Sequence, residues 1–179
     1  MQLKKKLIKF GYWLYDKSDL SGNKTTQKIK YLFTKIYFLI LAVILKKESF
    51  NIYQRLVLIS LNLNQINKAD EYYKKLSLLV TDSQQKTRSL NTLAQIYYHK
   101  NEYQKALDLY FEILDSAQYK TTILSNIAYT YEKIGNFGEA LKFAEKSIEV
   151  STQETGLAHT IDPKENVRGL IERLEDKLK

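Results

Sequence analysis

The chain has no cysteine, one proline, six glycines and two histidines in 179 residues. Zero cysteine removes disulfide frameworks, zinc ribbons, iron–sulfur ligation and thiol catalysis together. His99 and His159 are the only histidines, and no His-Glu-x-x-His helix is present to hold a metal. The glycines form neither a phosphate-cradling loop nor a dinucleotide fingerprint, and Gly135-x-x-Gly138 reads as a turn between helices. No Gly-x-Ser-x-Gly elbow exists. The paired carboxylates Asp70-Glu71 and Glu175-Asp176 are adjacent in helical segments, so they diverge instead of converging on a substrate. The expectation is a chain with no catalytic residues, no metal, no cofactor and no small-molecule substrate, and therefore not an enzyme.

What is present argues for a folded body. The length suits one domain, and 44% hydrophobic content is too high for wholesale disorder. The formal charge of +8 is distributed unevenly. Residues 1–47 hold eleven Lys against Asp16 and Asp19, a net +9, which leaves −1 for the other 132 residues. A near-neutral body with a basic leader points to an acidic surface as the leader's partner. Nucleic acid is the disfavoured alternative, because no recurrent base-contacting side chains stand out and the lysines are interleaved with apolar residues.

With one proline, Pro163, and apolar spacings of three and four over long segments, the pattern predicts an all-α chain. It also repeats. Residues 87–120 align with 121–154 at an offset of 34 without a gap: Leu90 with Leu124, Ala94 with Ala128, Tyr97 with Tyr131, Tyr103 with Phe137, and Ala106 with Ala140. A weaker copy covers 50–83, where Ala69 precedes Ala106 by 37 residues, Val57 replaces the first alanine and Ser60 replaces the tyrosine. Gly135-Asn136, Asn101-Glu102 and Asn64-Gln65 occupy the expected turns, and Asn tolerates left-handed backbone better than most residues.

This combination of period, small residues and aromatics resembles the tetratricopeptide repeat (TPR). The resemblance implies an α-solenoid of antiparallel helix pairs whose first helices line a peptide-binding groove. The groove positions it implies are Asn51, Gln54, Leu58 and Leu61 in the first copy, and Arg88, Asn91, Gln95 and Tyr98 in the second. The third copy contributes Thr122, Ser125, Tyr129 and Glu132. The two-carboxylate clamp of chaperone-tail-binding TPRs is not reproduced, since Gln54 and Leu58 stand where its first Lys and Asn would be. A protein segment is the implied partner.

The ends carry separate signals. Residues 153–179 read as a polar connection and a capping helix. Asp162-Pro163-Lys164-Glu165 opens that helix, and Val167, Ile171, Leu174 and Leu178 share one of its faces. Residues 1–27 read as a basic amphipathic leader with Leu3, Leu7, Phe10 and Leu14 in a stripe. Its membrane-contact candidates are Lys4, Lys5, Lys6, Lys9 and Trp13. Residues 28–47 read as an apolar helix around 31–45, ending in two further candidates, Lys46 and Lys47. Fifteen residues at 1.5 Å each reach about 22 Å, short of the ~30 Å hydrocarbon core, so a simple span is disfavoured. The segment either embeds in a membrane or packs on the first repeat as core, and the leader does not read as a secretory signal peptide. Lysine outnumbers arginine 24 to 4, a bias of AT-rich genomes such as those of plastids and low-GC bacteria. An N-terminal apolar segment followed by about three TPRs also resembles the plastid and cyanobacterial proteins that assist photosystem I assembly. That resemblance implies the cytoplasmic or stromal side of a membrane, whereas a soluble adaptor would sit in cytoplasm or stroma.

Overall fold

A computed structural model describes residues 2–19, 24–45, 49–153 and 163–179. Lys46, Lys47, the polar connection at 154–161 and the cap residue Asp162 lie outside the described residues, as do the side chains of Leu3, Lys4, Lys5 and Glu165. Among the described residues all regular structure is helical, as the periodicity predicts. In order the helices are α1 (Gln2–Asp19), α2 (Lys24–Leu45), α3 (Phe50–Asn62), α4 (Ile66–Ser77), α5 (Ser83–His99), α6 (Tyr103–Ile113), α7 (Lys120–Ile134), α8 (Phe137–Gln153) and α9 (Pro163–Leu178). The chain divides into two compact units, Met1–Gln85 and Lys86–Lys179.

Three turns share one backbone device. Asn64, Asn101 and Gly135 adopt left-handed backbone, with φ of 57°, 62° and 86°. Each amide donates to the carbonyl three residues back: Leu61 at 2.8 Å, Tyr98 at 3.0 Å and Glu132 at 3.1 Å. The following amide donates five residues back in every case, which closes the end of the first helix. The spacings between these turns, 37 and 34 residues, are the offsets seen in the sequence. A left-handed residue costs an ordinary side chain about 1–2 kcal/mol, so Gly or Asn is selected there.

In the second unit, Ala94, Ala106, Ala128 and Ala140 are all fully buried, so the helices meet where the side chains are smallest. Tyr110, Ile113, Leu124 and Ile127 fill the space around them. Each such buried side chain contributes on the order of 1.5–3 kcal/mol over exposure. The last helix, α9, packs on α7 and α8. Its buried face is Val167, Leu170 and Leu174, with Ile171 partly covered and Leu178 51% exposed. The stripe expected at 167, 171, 174 and 178 is therefore shifted, because Leu170 and not Leu178 reaches the core.

The first unit is a cluster of Phe38 and Leu41 from α2, Ile52, Tyr53, Leu56 and Ile59 from α3, and Leu76 from α4. Val57 is fully buried in α3, at the position where the other copies carry alanine. Helix α1 docks on α2 at Gly11, where a Cβ would lie 3.0 Å from Tyr37 Cε1 and 3.1 Å from Phe38 Cζ. The Tyr37 hydroxyl donates to the Leu7 carbonyl at 2.9 Å. Arg55 of α3 lies 4.9 Å from the Tyr12 ring and 4.7 Å from the Tyr15 ring, a double cation–π contact that ties α1 to the repeat. The stripe expected at 3, 7, 10 and 14 is not one surface: Leu7 packs against the core whereas Phe10 is 49% exposed. Close approach at Gly11 rotates that stripe partly inward.

Helix α2 also divides its apolar run between two environments. Tyr31, Thr34, Phe38 and Leu41 are buried, while Phe33, Ile36, Ile40 and Val43 are exposed. Lys35, the single charge inside the run, is buried, donates to Gln65 Oε1 and lies over the Tyr72 ring. Burial pushes its ammonium below the usual lysine range. Among the described residues no helix is long and apolar enough to cross a membrane.

Candidate functional site

Spacings of three and four put Arg88, Asn91, Gln95 and Tyr98 on one face of α5. The corresponding face of α7 carries Thr122, Tyr129 and Glu132, with Asn126 beside them. Between the two helices lies a cleft of about 140 Å³ lined by Gln95, Tyr98, His99, Tyr110, Asn126 and Tyr129. The structure thus brings together three residues named from the sequence, Gln95, Tyr98 and Tyr129. Asn91 sits at its edge, its amide oxygen accepting from Asn126 Nδ2 at 3.3 Å. Arg88 is exposed beyond that pair.

Two named positions do other work. Ser125 is buried: its hydroxyl donates to the Thr121 carbonyl at 2.9 Å and lies 2.8 Å from Ser147 Oγ of α8. It joins α7 to α8 and is not offered to a ligand, because the hydroxyl turns toward the pair partner. Glu132 is only 14% exposed and is held by Arg173 Nη2 at 3.6 Å and Lys177 Nζ at 3.4 Å, both from α9. Asn51, Gln54 and Leu58 lie half-buried on α3, in the first unit. Lys6, Lys9 and Trp13 are exposed on α1.

Three lining residues, Asn126, His99 and Tyr110, lie outside the groove positions that the resemblance implies. Asn126 neighbours the named positions on α7, one step off the implied pattern. His99 lies one turn beyond Gln95. Tyr110 comes from the second helix of its pair, and its large ring, where the next copy has Ala144, was the available signal.

The cleft is neutral. Burial pushes the Tyr98 phenol up to about 12 and raises Tyr129, whose shift the nearby Arg173 opposes. Burial also lowers His99, which keeps its imidazole uncharged near neutral pH. Phenols, amides and a neutral imidazole can donate to and accept from peptide groups, and among the described residues the lining carries no full charge to favour a carboxylate or phosphate. Tyr98 meets Tyr103 edge-on at 5.8 Å, so its ring is held in place before any ligand arrives. Among the described residues no group of His, Asp and Glu is placed to hold a metal ion.

Known proteins resemble parts of this chain in sequence or in fold. One curated relative, the signal recognition particle subunit SRP72 of Dictyostelium discoideum, is 31% identical over 90 residues, which are 49% of this chain and 13% of that protein. The chain thus matches only a small part of the relative's length. Among solved structures, the nearly identical TPR-like repeats of a Podosopora anserina protein described as a kinesin light chain superpose with a TM-score of 0.59. That alignment covers 98% of this chain and 88% of the other at 13% identity, so it shows the fold alone, the α-solenoid class. Family models described as tetratricopeptide repeat match residues 50–78, 87–118 and 121–161. With more than half of its residues matched and left-handed turns closing the first helix of each matched copy, the chain belongs to the tetratricopeptide repeat family.

Proposed function

We propose that the chain is a non-catalytic interaction scaffold that holds an extended protein segment against α5 and α7, and that its basic N-terminal helices bring it to an anionic membrane surface. The observation that carries the first half is the neutral, ring-walled cleft of Gln95, Tyr98, Asn126 and Tyr129. Amides at helical spacing pair with an extended backbone, and pre-positioned tyrosines supply contact area at low entropic cost. The repeat family supports a protein partner, and the relative named as a subunit of a particle is compatible with a role in assembly. The photosystem I assembly role is the more specific version of the same reading.

Selection of linear peptides from a random library against the full chain tests this. Peptides that bind wild type are expected to lose about tenfold or more in affinity to the Tyr98→Ala, Tyr129→Ala double variant. Unchanged affinity would remove the cleft as the binding site.

A further inference from the structure

Among the described residues, seven of the thirteen exposed large hydrophobic side chains lie on α2. Ile29, Phe33, Ile36, Ile40 and Val43 recur at spacings of four, three, four and three, and are between 46% and 77% exposed. Leu32 and Leu39 widen this face to an arc of about 120° on a helical projection. Lys28 and Lys30 border the arc on its two sides near the start of the helix. On α1, Lys6, Phe10, Trp13 and Lys17 are all exposed at spacings of four, three and four. Phe10 stacks on Trp13 at 5.6 Å and meets Tyr37 of α2 edge-on at 5.5 Å. Tyr37 lies one turn from both Phe33 and Ile40, so the aromatic face of α1 continues into the apolar face of α2.

We infer that α1 and α2 form an interfacial platform. The outward face of α2 lies in the plane of an anionic bilayer, and Trp13 with the lysines of α1 sits at headgroup depth. This deepens the membrane half of the function proposed above and rests on it. The length fits: Ile29 to Val43 covers about 21 Å, too short to span but suited to lying flat. Charge selects the occupant. A second copy on this face would oppose two segments of net +9, whereas anionic headgroups complement them. Lysines beside an apolar arc lay their stems on the apolar surface and keep their ammonium groups among the phosphates.

Trp13, the one tryptophan of the chain, reports on this directly. The full chain is mixed with phosphatidylcholine vesicles containing about 30% phosphatidylglycerol, and with pure phosphatidylcholine vesicles. Trp13 emission is expected to shift to the blue and to be quenched by brominated acyl chains with the anionic vesicles only. The Phe33→Gln, Ile36→Gln, Ile40→Gln variant changes exposed side chains to good helix formers and is expected to bind about tenfold or more weakly. Circular dichroism checks that its helices persist. Salt-sensitive binding with unshifted Trp13 and no loss in the triple variant would leave the basic attachment standing and overturn the platform. No vesicle binding would overturn both. A wild-type dimer that the triple variant converts to monomer would assign the face to a second copy and overturn the inference.

Discussion

The Asn126 amide on α7 donates to the Asn91 amide oxygen on α5 across 3.3 Å. This link joins the first helices of consecutive repeats at the rim of the cleft. Asn126→Ala removes a part-buried hydrogen bond worth about 1 kcal/mol and takes a lining amide from the site. The expected result is a modest fall in the denaturant midpoint together with a clear loss of peptide affinity. Titration of a selected peptide alongside urea melts reads both.

The left-handed turns predict a residue-specific pattern. Asn101→Gly keeps the backbone geometry at φ 62° and is expected to leave thermal stability within about 1 kcal/mol of wild type. Asn101→Val forces a β-branched side chain into that conformation and costs about 1–2 kcal/mol or more. Chemical melts of the two variants separate backbone conformation from the side-chain bond that Asn101 Oδ1 accepts from Tyr103.

Gly11 is where α1 and α2 come closest. Gly11→Val places its methyl groups against Tyr37 and the fully buried Phe38, and overpacking of this kind costs about 1–3 kcal/mol. Hydrogen exchange is expected to rise in α1 while α7 and α8 keep their protection.

Ser60 stands in α3 where the other copies carry Tyr97 and Tyr131. It is fully buried, and among the described residues its hydroxyl has no hydrogen-bond partner. Ser60→Ala removes that desolvated group and is expected to raise stability by about 1 kcal/mol, read as a higher urea midpoint.

His99 sets a pH dependence. Its folded-state value lies below 6.5 because burial disfavours the imidazolium, so the unfolded chain binds the proton more readily. Stability from this group is present above pH 6.5 and is lost as pH falls through the folded value. His99→Gln is expected to flatten the acid limb of a stability–pH profile; an unchanged slope would assign that limb to other groups.

Much of the repeat fold could be read from spacing, because backbone requirements act on single positions. Left-handed turns select Gly135, Asn101 and Asn64, and helix crossings select Ala94, Ala106, Ala128 and Ala140. The site was less legible. Periodicity assigns a residue to a helix face but not to what covers that face. Ser125 therefore looked available although Ser147 of α8 engages it, and Glu132 looked open although Arg173 and Lys177 of α9 hold it. Tyr110 escaped notice because it enters the cleft from the second helix of its pair. Helix α2 is apolar nearly all round, so sequence pattern could not apportion its run between core and surface; contacts with α1 and α3 do.

The proposed seat of the bound protein segment is the cleft between α5 and α7. Its most direct test is photo-crosslinking of a library-selected peptide to full chains carrying benzoylphenylalanine at position 129 or at position 111. Tyr129 lines the cleft, and Phe111 is an exposed residue of α6 outside its lining. Peptide adducts are predicted at position 129 and not at position 111. Adducts at 111 with none at 129 would place the peptide outside the cleft.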